Sequence, residues 1–118
     1  MKYIVVLFFA LLFNEAHAQG NLQFNQVINM AFAAANTTPV TVPAGKVWKI
    51  ESCMLNTPSN NYAYMLYNGV YYIMRQQISS AHNVNFPFWL ASGTSVTFGG
   101  NGGGAGGMLS ILEFNIIP

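Results

Sequence analysis

The sequence predicts an all-β protein, a single β-sandwich of about seven or eight strands. Three observations point there. Short runs of alternating apolar and polar residues recur along the chain, separated by Pro, Gly, Asn and Ser clusters, as in a two-sheet protein. Helical periodicity is nearly absent. The segment Tyr62–Tyr67, followed by Asn68-Gly69 and then Val70–Arg75, has the form of a β-hairpin. Asn-Gly is the preferred pair for a type I′ turn, because both central residues need a positive φ.

Taken in order, Asn21–Met30 carries Leu22, Phe24, Val27 and Ile28 and is expected to form the first strand. Met30–Ala35 has helical propensity in its alanines but runs into Asn36-Thr37-Thr38-Pro39, so a loop or strand edge is expected. Val40–Val42 is extended. Pro43-Ala44-Gly45 is a turn, Pro presetting φ and Gly accepting a positive one. From Val47 to Met54 the chain alternates, with Trp48, Ile50, Ser52 and Met54 on one face and Val47, Lys49, Glu51 and Cys53 on the other. Asn56–Asn61 and Gln76–Asn83 are loops by composition. Pro87 places Asn85–Leu90 at a strand start or sheet edge. Ala91-Ser92-Gly93 is a turn and Thr94–Phe98 a strand. Met108–Ile117 is apolar on both faces apart from Ser110, Glu113 and Asn115, as expected of a central strand. The stretches Val42–Ile50 and Leu90–Phe98 echo each other in a turn glycine followed by alternation, as two similar corners of a two-sheet fold would. Together these elements predict a jelly-roll-like sandwich.

Residues 1–18 have the form of a secretory signal peptide. Lys2 gives a positive start, Ile4–Phe13 an apolar run, and Ala16-His17-Ala18 a small-x-small cleavage pattern before Gln19. The apolar run is about ten residues, short of the roughly 20 needed to span a bilayer, and no later segment is long enough. A mature domain of residues 19–118 is therefore expected, secreted, at the cell surface or in a periplasm, with no transmembrane segment.

The 118-residue chain is 53% apolar and only 6% charged, with a net charge of +1. A typical soluble domain is about 25% charged. Asp is absent and Glu15, Glu51 and Glu113 are the only acidic side chains, so neither a metal site nor a nucleic-acid-binding surface is expected. Gly102, Gly104 and Gly107 satisfy a formal G-x-G-x-x-G. A dinucleotide site needs a strand before it, a helix after it and an acidic residue further on, whereas here a strand follows. Seven glycines lie within Gly99–Gly107, which is expected to be a flexible hairpin loop. Paired carboxylates for acid–base work would have to be Glu51 and Glu113, for which the plainer reading is solvated or salt-bridged side chains, Glu51 with Lys49 or Lys46. With these groups and His82 as the one mature-chain histidine, no catalytic residue and no cofactor are expected. Cys53 stands alone. Burial fits its residue type, while its alternation with Lys49 and Glu51 would put it on the wetter face.

Five tyrosines lie within Tyr62–Tyr72. Tyr offers a large rigid contact area with a polar tip, which suits binding surfaces and stacking on sugar rings. The plainer reading is that half of these rings fill the core. With Tyr62, Tyr64 and Tyr72 turned inward, the candidate binding surface is Tyr67, Asn68 and Tyr71 at the hairpin tip, with Arg75, the sole arginine, at its base. The scarcity of charge predicts self-association, through a closed ring such as a trimer or through open stacking. These features point to an exported non-enzymatic interaction module, adhesive or glycan-binding, with a structural subunit of an extracellular fibre, coat or matrix as the alternative.

The run Thr41–Glu51, with its Val42-Pro43-Ala44-Gly45 turn, together with Phe88–Thr94 and Glu113–Pro118, resembles small secreted all-β proteins of Bacteroidota-type bacteria. The corners are also similar to those of jelly-roll domains in phage tail tips and of trimeric tumour-necrosis-factor-like domains. This resemblance covers about half of the mature chain. It implies a jelly-roll architecture and a bacterial source, and it carries over no catalytic residue.

Overall fold

In a computed structural model, residues 21–56, 61–78, 81–101 and 104–118 are described. The signal-peptide reading of residues 1–18 falls outside them. The described chain forms two antiparallel sheets and contains no helix. Its strands are β1 (Asn21–Phe32), β2 (Val40–Thr41), β3 (Lys46–Leu55), β4 (Tyr62–Tyr67), β5 (Val70–Ile78), β6 (Ala81–Val84), β7 (Phe88–Leu90), β8 (Ser95–Gly100) and β9 (Gly107–Ile117).

The first sheet has the order β1-β9-β3-β7 and the second β2-β8-β4-β5-β6. Apart from the β4–β5–β6 meander, each connection carries the chain from one sheet to the other, which is jelly-roll connectivity. β9 is central, paired along its length with β1 on one side and β3 on the other. That accounts for its two apolar faces. β7 begins directly after Pro87 and is an edge strand, as expected.

Between the sheets lie Trp48, Ile50, Cys53, Leu109 and Ile111 from the first and Ala63, Met74, Val96 and Phe98 from the second. Two turns close one end of the sandwich. Gly45 and Gly93 both have positive φ (73° and 77°). Gly93 N–H donates to Val42 O at 3.0 Å, and Gly45 N–H to Ser92 Oγ at 3.0 Å. The two echoing corners of the sequence thus pack against each other.

Three bulges set which residues face the core: Asn25 in β1, Glu51 in β3 and Met74 in β5 each add one residue opposite a partner strand that adds none. The bulge at Glu51 reverses the alternation of β3 midway. Trp48 and Ile50 point inward before it, and after it Cys53 points inward while Met54 is exposed. Cys53 is therefore 2% exposed, buried as its residue type predicts, because one inserted residue turns it away from the face of Lys49 and Glu51.

Of the polar stretch Gln76–Asn83, expected as a loop, the described residues Gln76–Ile78 and Ala81–Asn83 are instead strand. β5 continues to Ile78 and β6 pairs back along it from Ala81↔Ile78 to Val84↔Arg75. Backbone pairing alone satisfies the groups of such an added edge, so the segment needs no apolar alternation to form it.

Candidate functional site

The Asn68-Gly69 turn has the positive φ values of a type I′ pair (50° and 77°). Across it, Tyr67 pairs with Val70 and Leu66 with Tyr71. Opposed residues share a face and neighbours alternate, so Tyr67 and Tyr71 lie on opposite faces of the ribbon. Both are exposed, Tyr71 at 62%, but they form no single clamp.

The expected division of the tyrosines is also rearranged. Tyr62, Tyr64 and Tyr71 share the outer face of the second sheet, with Tyr64 against Tyr71 edge to face at 5.0 Å and against Tyr62 at 6.5 Å. Tyr64 is buried there because Gly99 on β8 leaves room for its ring, and its hydroxyl donates to Asn36 O at 3.4 Å. Burial, and then the neighbouring Tyr71 and Tyr62, push its hydroxyl pKa up. Tyr72 and Tyr67 take the opposite face with Met65.

Arg75 does not join the hairpin tip. Its Nη1 donates to Cys53 O at 2.6 Å, linking β5 of one sheet to β3 of the other. Its Nε is buried without a partner among the described residues.

A second exposed feature, not singled out from the sequence, is the outer face of the first sheet. Phe24 on β1 meets Phe114 on β9 edge to face at 6.0 Å, and Phe114 meets Trp89 on β7 at 5.6 Å. This aromatic stripe crosses the sheet from one edge strand to the other. Phe24 and Val27 are each 54% exposed and Trp89 51%, with Leu22 and Ile116 exposed on the same face. The charges on this face are Lys49 and Glu51, paired with each other at 2.5 Å, and Lys49 also lies 5.7 Å over the Trp89 ring. The Glu51–Lys49 pairing is the one expected. In the sequence, the signal for this face was the Leu22, Phe24, Val27 spacing, which looks irregular until Asn25 is counted as a bulge.

Glu113 behaves differently from the solvated side chain expected. It is 3% exposed, and its carboxylate accepts bonds from Trp48 Nε1 (2.8 Å), Asn25 Nδ2 (2.7 Å) and Gln26 Nε2 (3.0 Å). The Trp48 bond foremost holds its pKa below the ordinary value, against the opposing effect of burial, with help from Asn25, Gln26 and the nearby Lys46. The site is fully occupied by its own donors, a structural network rather than a reactive group.

Among the described residues no cluster of three or more His, Cys, Asp or Glu is placed to hold a metal. No helix among them is long and apolar enough to cross a membrane. No protein-family model, curated protein or solved structure matches the chain.

Proposed function

We propose that this chain is an exported, non-catalytic interaction module that works as an assembly of its own copies. The observation that carries this reading is the aromatic stripe Phe24–Phe114–Trp89 on an almost uncharged sheet face. An apolar face of this breadth marks an interaction surface on a soluble protein. Its one ion pair is internally neutralised, so two such faces meet without charge conflict. A closed ring such as a trimer would cover the stripe in every copy. Tyr71, with Tyr62 partly exposed beside it, then remains available on the opposite sheet as a contact surface, and phenol rings suit the faces of sugars.

A second reading, a fibre or coat subunit, is favoured by β1. This twelve-residue strand forms an edge of its sheet, and a long free edge is a template for open-ended pairing.

Sedimentation velocity of the purified protein tests both. Discrete oligomers that dissociate in the Phe24→Ser/Trp89→Ser double variant are expected. Salt-insensitive polymers would favour the fibre, and a monomer at tens of micromolar would overturn both.

A further inference from the structure

β7 has only three residues and is the edge of the first sheet. Two cavities of about 470 and 390 Å³ are lined jointly by β7 and the β4–β5 hairpin, and Met65, Tyr72 and Phe88 line both, so they form one elongated slot. One end reaches Met74 and Asn85, the other Leu90 and Thr94.

We propose that this slot is a binding site for a neutral, single-chain aliphatic ligand, an alkyl or acyl chain with an uncharged head. Among the described residues no Lys, Arg or Glu lines either cavity, so a charged ligand would be desolvated there without a counter-ion from them. The slot lies within the volume range of small-molecule sites. At the roughly 30 Å³ that a water occupies, the larger cavity holds on the order of a dozen methylenes. Met65 and Met74 are flexible, polarisable walls that adapt to a chain without fixed shape. Asn85 is the polar group at one end. Its Nδ2 donates to Ile73 O at 2.9 Å and its backbone N–H to Met74 O at 3.3 Å, which orients the amide and leaves its Oδ1 to accept from an alcohol head. Trp89 of the aromatic stripe also lines the Leu90 end, so the slot borders the self-association face, and the test has to separate the two.

The test uses the neutral fluorophore N-phenyl-1-naphthylamine with the purified protein. We expect saturable binding at one probe per chain, displaced by dodecanol and at least tenfold less well by dodecanoate or glucose. Tyr72→Lys, a half-exposed position that tolerates a charge, is expected to weaken probe binding at least tenfold with the fold unchanged by circular dichroism. Phe24→Ser, on the far face of the first sheet, is expected to leave it unchanged. Absence of saturable binding, equal displacement by dodecanoate, or binding that survives Tyr72→Lys would overturn the proposal. So would binding lost in Phe24→Ser together with self-association, since the probe would then lie between copies.

Discussion

Trp48 Nε1 donates to Glu113 Oε2 at 2.8 Å, joining adjacent strands of the first sheet by a buried, charge-assisted bond. Asn25 and Gln26 from the third strand complete the set on the other oxygen. Asn25 reaches it because it is the bulged residue of β1. Glu113→Gln removes the charge and sets an amide N–H₂ among three donors, so a loss of about 2–3 kcal/mol is expected at neutral pH. Because folding lowers the Glu113 pKa, its contribution is present above the ordinary value of 4.5 and lost as the pH falls through the folded value. Urea titrations from pH 7 to pH 3 should show the gap between the two proteins narrowing as acid is added. A constant gap would refute the assignment.

How much of this could be read from the sequence depends on whether neighbouring residues or distant strands decide the matter. The Asn68-Gly69 turn and the Gly45 and Gly93 corners were legible, because positive φ is a local demand. The shared face of Trp48 and Ile50 follows from alternation, whereas the strand of Leu109 and Ile111 is apolar on both faces and does not by itself say which side is inward. The bulges did not show, since an extra residue in one strand is defined only against its partner. One bulge turned Cys53 inward, and another brought Asn25 to Glu113. Glu113 read as solvated because its three donors lie on other strands. Tyr67 and Tyr71 read as a pair because they flank one turn, yet the register that turn imposes puts them on opposite faces.

The Arg75–Cys53 link gives a second expectation. Arg75→Met keeps much of the buried stem and removes the 2.6 Å bond to Cys53 O across the sandwich. A loss of about 1–2 kcal/mol is expected in denaturant titration, moderated because the unpartnered buried Nε is removed as well. Ligand binding at the hairpin tip should be unaffected, since the guanidinium points between the sheets. A binding defect with normal stability would restore Arg75 to the contact surface.

The Cys53 thiol should be inert. Burial pushes its pKa up from 9.0 to about 11, with Arg75 pulling weakly the other way. The thiolate is the reactive form, so Ellman's reagent at pH 8 is expected to label the denatured chain at once and the native chain at the rate of unfolding. The folded state resists ionisation. Stability from this group is therefore fully present below about pH 9 and declines as the pH rises toward 11. Rapid native labelling, or an intermolecular disulfide formed without unfolding, would contradict the buried placement.

Ala35 and Gly100 meet where the chain leaves β1, and their backbones make opposite demands: glycine would suit the first, and only glycine fits the second. Ala35 adopts φ 51°, a left-handed conformation that costs an L-residue roughly 1–2 kcal/mol, and its N–H donates to Gly100 O at 2.9 Å. Gly100 sits so close to the next segment that an added methyl carbon would lie 1.6 Å from Ala105 O, a backbone atom with no side-chain freedom to withdraw. Ala35→Gly should relieve the strain, and part of that gain is offset by the greater freedom of glycine in the unfolded chain. A net gain of about 0.5–1 kcal/mol is expected. Gly100→Ala should cost about 3 kcal/mol, because the β8 end and the Ala105 backbone must separate to admit the methyl group. Thermal melts of the two variants should move in opposite directions from the parent. Equal or same-sign shifts would mean that the left-handed turn at Ala35 or the close approach of Gly100 to Ala105 is not formed as described.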